Sequence, residues 1–258
     1  MGMGDELIAS GAARKLHKQN RVPVLIVGLD GRPRWSPLWE GLPYIVRRAA
    51  GRPVMRMVNG PHARPYIAAK TPHKWTWKPY RPQAAEIVFT PEELAFAEPF
   101  RGKIMIEPNV KANGHANKAW LPTRWAELSR TRDDFVQCVS SPEQSLPAHV
   151  LKVHTPTFRH ALAVLSVARA FVGTEGGLHH GAAAVGTPAV VLFGGFIAPA
   201  VTGYSTHRNL FTGTGLGCGA RINCEHCRKA MAAITVERVV QELQAALESS
   251  EQRKPHAA

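Results

Sequence analysis

The chain has 258 residues, 45% of them hydrophobic, which suits a globular protein of one large or two modest domains. No apolar run approaches the roughly 20 residues that span a bilayer, and the first residues lack a signal-peptide pattern, so a cytoplasmic protein is expected. The formal net charge of +13 is well beyond what solubility requires. It points to an anionic partner, which can be nucleotide phosphates, a nucleic acid or an acidic membrane face.

Helix and strand patterns alternate along the chain, which favours an α/β fold with parallel sheets. The first part predicts a helix over 5–19 with Asp5 as its N-cap, strands at 22–29, 54–58 and 85–90, and short helical turns within 36–50. Residues 59–84 are dense in Pro, Trp, Tyr and Arg and predict an ordered loop. The second part predicts strands at 103–110, 134–139, 149–154, 171–174, 189–195 and 209–213, and helices at 122–130, 158–170, 177–186 and 235–253. A domain boundary is expected within 90–102.

The stretch FVGTEGGLHHGAAAVG (171–186) carries the strongest signal for a binding site. A strand that ends at Thr174 and Glu175 and then enters a helix exposes backbone N–H groups at the positive helix end, which favours an anion. Gly176 and Gly177 allow a close approach of the backbone to a ligand. In open α/β sheets, ligands bind at this carboxyl end of the strands. The alternative is a tight strand–helix turn in which Glu175 is a cap and both histidines lie on the surface.

The same stretch resembles the donor-site signature of glycosyltransferase family 9, the ADP-heptose:lipopolysaccharide heptosyltransferase-like proteins. That signature runs through an acid, a small residue, Gly, two variable residues and His, then an Ala-rich helix, Gly-Thr-Pro, an apolar strand and Phe-Gly. Glu175, Gly176, Gly177 and His180 match it, followed by GAAAVGTPAVVLFGG (181–195). Glu175 stands where the family usually has Asp, and Gly176 where it has Ser or Thr.

Two further segments are similar to family motifs. KAWLP (118–122) resembles the Lys-x-Trp-Pro-like motif that follows the first strand of the second domain, and GMGD (2–5) resembles the small-x-Gly-Asp loop. The resemblance implies that Lys118 contacts the donor phosphate and that Asp5 is the general base on the acceptor hydroxyl. The alternative for Asp5 is an N-cap carboxylate that stabilises its own helix by about 1 kcal/mol.

The resemblance implies a GT-B-like fold, with two Rossmann-like domains that contain parallel sheets and with the N-terminal domain reduced. Residues 1–97 would form the acceptor-side domain and residues 98–258 the donor-binding domain. The implied activity is a metal-independent, inverting transfer of a heptose or hexose from a nucleotide-diphosphate sugar, with no other cofactor. The implied donor-binding residues are Lys118, Thr174, Glu175, Gly176, Gly177 and His180.

The acceptor side is assigned to Gly4 and to the basic, aromatic segment 64–82, in which Trp75, Trp77, Lys78 and Tyr80 could stack on sugars or bases and hold phosphates. A packed loop that covers the first domain is the alternative. The expected acceptor is a lipopolysaccharide-core-like glycan, with peripheral contact at the inner membrane face. Two other interpretations stay open: a glycosyltransferase acting on hydroxymethylated pyrimidines in DNA, and a non-catalytic nucleotide- or nucleic-acid-binding protein.

Three of the four cysteines fall close together, at Cys218, Cys224 and Cys227. This C-x5-C-x2-C spacing has only one clean pair, whereas structural zinc sites usually have two, so reduced thiols are the favoured interpretation. In the alternative, a zinc site that could belong to a nucleic-acid module, the fourth ligand could be His226, His207 or Cys138.

Overall fold

The first part of the protein combines one long helix with two small sheets. The computed structural model describes residues 2–110, 116–140 and 146–251. The elements of the first part are α1 (Met3–Asn20), β1 (Val24–Val27), β2 (Met55–Val58), β3 (Ile67–Lys70), β4 (Trp75–Trp77) and α2 (Pro91–Ala97). Strands β1 and β2 pair in parallel, and β3 and β4 form an antiparallel hairpin. All four residues of β1 are buried, as its continuous apolar run predicts.

A six-stranded parallel sheet organises the second part. Its strands are β5 (Ile104–Glu107), β6 (Phe135–Val139), β7 (Leu151–His154), β8 (Ala170–Thr174), β9 (Ala189–Gly194) and β10 (Arg208–Phe211), in the spatial order β10-β9-β8-β5-β6-β7. The helices are α3 (Pro122–Ser129), α4 (Phe158–Val167), α5 (Gly177–Val185), α6 (Pro199–Thr202), α7 (Glu225–Ala233) and α8 (Val236–Glu251). The strand order reverses direction beside β5 and β8, which is where open α/β sheets form a ligand crevice.

The two parts pack against each other through one continuous apolar cluster. Leu7 of α1 and Trp39 belong to the same buried cluster as Ala163 of α4 and Phe193 of β9. Arg159 of α4 adds a buried ion pair with Glu93 of α2, at 2.6 Å between Nε and Oε1. This packing sets the start of α1 against the start of α5. The predicted division into residues 1–97 and 98–258 stays a prediction.

The predicted α/β alternation is confirmed, and the departures from it lie in the first part and in the loops. The predicted strand at 85–90 is wrong: within the described structure these residues belong to no strand, and the Val88 carbonyl accepts from Arg159 instead of from a neighbouring strand. The predicted loop at 59–84 contains the β3–β4 hairpin. Helices α2, α6 and α7 were not predicted, and residues 252–253 of the predicted last helix lie outside the described residues.

The start of α1 also differs in detail. Gly2, not Asp5, is the N-cap, and Asp5 lies three residues into the helix, where its Oδ2 accepts from the Gly2 N–H at 3.3 Å. The carboxylate therefore still supports the helix end, from the N3 position. Along the described part of the chain, every helix is too short or too polar to cross a lipid bilayer.

Candidate active site between two helix ends

The amino-terminal ends of α1 and α5 face each other at close range. A Cβ atom at Gly4 would lie 2.7 Å from Cδ2 of His180 and 3.4 Å from the Gly177 Cα. A Cβ atom at Gly177 would lie 3.7 Å from the Gly4 backbone nitrogen. Because each helix N-terminus carries a partial positive charge, two of them in contact favour an anion in the gap that borders both. The glycines predicted on opposite sides of the cleft are thus brought together.

Lys118, Glu175 and His180 form the polar wall beside this gap. The Lys118 Nζ donates to Glu175 Oε2 at 2.6 Å and to the Glu175 carbonyl oxygen at 3.2 Å. The other carboxylate oxygen lies 3.8 Å from His180 Nε2. The Lys118 and Glu175 side chains are only 12% and 7% exposed, so this is a largely buried pair. Three residues predicted to bind the donor from separate parts of the chain therefore meet.

Burial and charge set the protonation of this wall. Burial alone would raise the pKa of the Glu175 carboxyl, but the Lys118 ammonium brings that pKa below its usual value, so Glu175 is a carboxylate. Burial lowers the pKa of His180 to about 4, so its ring is neutral at pH 7. Its Nδ1 lies 3.0 Å from the Tyr204 hydroxyl, whose pKa burial raises. A proton donated by Tyr204 to Nδ1 leaves Nε2 as a donor toward the gap.

Asp5 lies on the α1 side of the gap with both of its oxygens engaged. Tyr66 donates its hydroxyl to Oδ1 at 2.5 Å, and Arg64 pairs with Oδ2 at 2.9 Å. Burial, followed by the negative charge of Asp5, raises the pKa of Tyr66 and keeps its hydroxyl protonated. Tyr66 and Arg64 were not singled out from the sequence, although both lie within the basic, aromatic segment 64–82. The carboxylate predicted as the base is held in one orientation.

A cleft of about 370 Å³ continues from Gly176 and Gly177 along the carboxyl ends of β5, β6 and β8. Thr174, Leu178 and Thr157 line it, together with Glu107, whose pKa burial raises to about 7. This volume lies within the range of small-molecule sites. A larger cavity of about 710 Å³ lies beside α8 at the amino ends of β9 and β10. The smaller cleft is the better candidate, because ligands of open α/β sheets bind at the carboxyl ends. Glu107 and Leu178 were not anticipated from the sequence.

The residues assigned to the acceptor side have different environments. The Trp75 ring is half-buried, with the Arg64, Lys70 and Arg221 cations 5.5, 5.3 and 5.1 Å from its centre. Trp77 is only 5% exposed, and its Nε1 donates to the Phe196 carbonyl at 2.9 Å. The packing alternative applies to Trp77 in place of the predicted acceptor contact, since its ring lies 5.3 Å from that of Phe196, in the segment after β9. Lys78 is exposed and Tyr80 half-buried.

The interpretation of the two histidines as surface residues is wrong, since His179 is fully buried and His180 is 3% exposed. His179 packs among aromatic rings, 5.6 Å from Phe193 and 5.3 Å from Tyr204 between ring centres. Burial lowers its pKa, and the ring is a neutral part of the packing behind His180. The order of the family signature had already matched His180, not His179, to the family histidine.

Lowering the pH from 6.5 to 4 is expected to remove a stabilising contribution of buried His207. Burial lowers the pKa of His207 from its ordinary value of 6.5 to about 4. Between pH 6.5 and pH 4, His207 is therefore protonated in the unfolded chain and neutral in the folded chain, which favours unfolding. Each unit of pKa difference corresponds to about 1.4 kcal/mol. The difference in unfolding free energy between the wild type and His207→Gln, measured by urea titration, should shrink across this window. Exposed His73→Gln is the control and should follow the wild type at every pH. A constant difference for His207→Gln would contradict the buried neutral imidazole.

The fold and the cleft together define a class of protein. The six-stranded parallel sheet places the N-terminus of α5 across a polar gap from the first, smaller Rossmann-like part of the protein. This is the GT-B-like arrangement that was expected. The sequence pattern of glycosyltransferase family 9 (heptosyltransferase) matches residues 78–231, more than half of the chain. The chain therefore belongs to glycosyltransferase family 9.

Solved structures agree with this fold. The ADP-heptose lps heptosyltransferase II of E. coli superposes with a TM-score of 0.50 at 23% identity, covering 67% of this chain and 56% of that one. A family 9 glycosyl transferase from Veillonella parvula gives a TM-score of 0.50 at 14% identity, covering 65% of this chain and 55% of that one. The chain thus spans little more than half of the length of these proteins. No curated protein matches the chain in sequence.

Proposed function

We propose that the protein transfers a heptose or hexose from a nucleoside-diphosphate sugar to a hydroxyl group of an anionic glycan, of the kind found in a lipopolysaccharide core, with inversion and without a catalytic metal. The observation that carries the proposal is the meeting of two helix N-termini, Lys118 and His180 at one gap, with Asp5 on its other side. Membership of glycosyltransferase family 9 supports the reaction class.

The α5 side supplies what a departing diphosphate needs. Negative charge grows on the diphosphate as the sugar bond breaks, and preorganised donors stabilise it. The backbone N–H groups at Gly177 and Leu178 begin the helix, and the His180 Nε2–H lies against the same gap. Lys118 is held by Glu175 until a phosphate competes for its ammonium group. These groups together replace the cation that a diphosphate otherwise requires.

The α1 side supplies the base. The acceptor hydroxyl attacks the anomeric carbon from the face opposite to the leaving diphosphate, and Asp5 accepts the hydroxyl proton. One base on one side of the sugar and one anion site on the other suit a single displacement with inversion. Arg64 and Tyr66 hold the carboxylate, and the hydroxyl has to take a place beside one of these partners.

The surroundings of Trp75 favour an acceptor that carries phosphate or carboxylate groups. Its half-buried ring offers a stacking surface for a sugar, while Arg64, Lys70 and Arg221 lie within 5.5 Å of the ring centre. Arg64 links this surface directly to Asp5. The DNA acceptor, the non-catalytic interpretation and the contact with a membrane stay predictions.

A donor screen tests the proposal. A nucleoside-diphosphate sugar at 100 times its Kd should stabilise the protein by about 2.7 kcal/mol in thermal unfolding, and the corresponding diphosphate should also bind. Gly4→Ala places a methyl group against His180 and should abolish or strongly weaken this shift. Gly60→Ala, where a Cβ atom meets nothing within 4 Å, is the matched control and should keep it. A donor shift that survives Gly4→Ala would contradict the proposed location.

A further inference from the structure

Three thiols and one imidazole lie together outside the candidate active site. One ligand atom from each of Cys218, Cys224, His226 and Cys227 falls within 4.8 Å of every other. The Cys218 Sγ lies 3.8 Å from the Cys224 Sγ and 3.0 Å from the Cys227 Sγ. The other two ligands considered from the sequence, His207 and Cys138, are not part of this group. The fourth position is thus filled by His226, which lies between the last two cysteines.

The group has the size and composition of a tetrahedral metal site. Zinc binds sulfur at about 2.3 Å, so two sulfurs of a tetrahedral site lie about 3.8 Å apart, as Cys218 and Cys224 do. The Cys218 and Cys227 sulfurs, at 3.0 Å, have to move apart when the ion binds. The Ala220 backbone N–H donates to the Cys218 Sγ at 3.4 Å, a hydrogen bond of the kind that orients a sulfur ligand. Gly219 has a positive φ of 64° between the first two cysteines, so the chain turns back toward the group.

We propose that Cys218, Cys224, Cys227 and His226 bind one structural metal ion, for which zinc is the ion that three thiolates and one imidazole favour. All four tetrahedral positions are filled by protein, so the ion is structural and leaves no place for a substrate. It lies outside the proposed chemistry, which needs no metal at the diphosphate.

The contacts of the loop 218–227 show what the ion stabilises. Asn117, next to Lys118, accepts from the Cys224 N–H at 3.1 Å and donates to the Ala220 and Ile222 carbonyls at 2.7 and 2.8 Å. The loop thereby fixes the residue that precedes the donor-side lysine.

The same loop also holds the acceptor-side hairpin. The Trp75 N–H donates to the Gly219 carbonyl at 2.9 Å, and the Arg221 N–H donates to the His73 carbonyl at 2.8 Å. A Cβ atom at Gly219 would lie 1.8 Å from the Trp75 carbonyl oxygen, so only glycine fits at this contact. One metal ion in this loop therefore orders the Lys118 segment and the Trp75 hairpin together.

Metal analysis of the full chain, purified without added metal or chelator, tests the proposal. About one zinc ion per chain is expected, and it should be lost in Cys224→Ser and His226→Ala, which replace half-buried and exposed ligands. Cys138→Ala is the matched control and should keep the ion, because Cys138 lies outside the group. Replacement by Co²⁺ should give the thiolate charge-transfer and d–d absorption bands of a tetrahedral site, a readout that does not depend on the folding of any variant.

Two results would overturn the proposal. One is wild-type protein with far less than one bound ion per chain that also fails to take up Zn²⁺ or Co²⁺ after reduction. The other is a metal content that Cys224→Ser and His226→Ala both leave unchanged. A thiol count that falls by two, with no metal bound, would also overturn it and would show a disulfide, for which Cys218 and Cys227, with sulfurs 3.0 Å apart, are the expected pair. None of these readouts involves a nucleotide sugar, so they are independent of the proposed transfer reaction.

Discussion

Replacing Asp5 by Asn is expected to lower the kcat of sugar transfer by about 10²- to 10⁴-fold, the usual contribution of a general base. The Kd of the donor should change little, because the diphosphate wall is formed by Lys118, His180 and α5. Asn keeps the size of the side chain and an oxygen that can accept from Tyr66 or from the Gly2 N–H. Initial rates of transfer and calorimetric titration with the donor measure the two quantities separately.

The competing role of Asp5 as a helix cap predicts a different result. Loss of a cap costs about 1 kcal/mol of stability and leaves the chemistry of the folded fraction intact. Asp30→Asn is the control, since the Asp30 side chain is 59% exposed and should affect neither rate nor stability. If Asp5→Asn only lowers the unfolding midpoint and retains the wild-type kcat, Asp5 is not the base. If the wild type binds the donor but transfers no sugar to any acceptor, the result supports the non-catalytic interpretation.

The grouping of the residues assigned to the donor side could be predicted because most of them are close in sequence. Glu175, Gly176, Gly177 and His180 lie within six consecutive residues, and a strand that runs into a helix dictates how they are presented. Lys118 is distant in sequence, but it follows the first strand of the same sheet, and parallel strands bring such positions to one edge. Continuous apolar runs were sufficient to predict β6, β8 and β9, which lie inside the sheet and are buried along their whole length.

The acceptor side could not be predicted, because its contacts join distant residues without a repeated pattern. The Tyr66 hydroxyl reaches Asp5 over 61 positions, and the Trp77 indole reaches the Phe196 carbonyl over 119. An aromatic, basic segment has the same composition whether its rings pack inward or face a ligand. Only the tertiary structure shows that Trp77 packs inward while Trp75 keeps one face among cations. In the same way, only the folded loop shows that His226, and not His207, lies beside the three cysteines as the fourth candidate ligand.

Lys118→Met is expected to weaken donor binding by about 10- to 100-fold, since a charge-assisted hydrogen bond contributes about 1.5–3 kcal/mol. It should also destabilise the protein by about 3–5 kcal/mol, because the Glu175 carboxylate is left in a buried site without its cation. The single substitution therefore changes the donor affinity and the unfolding free energy at the same time. The double variant Lys118→Met/Glu175→Gln removes both charges and should recover much of the stability.

The double variant separates the two effects. If Lys118 binds the diphosphate, its donor affinity stays as low as that of Lys118→Met although its unfolding free energy returns toward the wild type. The corresponding cycle at Arg101 and Glu98, whose side chains are 62% and 59% exposed, should give little or no coupling, because solvent screens this pair. Recovery of donor affinity together with stability would mean that Lys118 acts only by neutralising Glu175. In the proposed site, the buried Glu175 carboxylate has the role of positioning the lysine that the diphosphate would then bind.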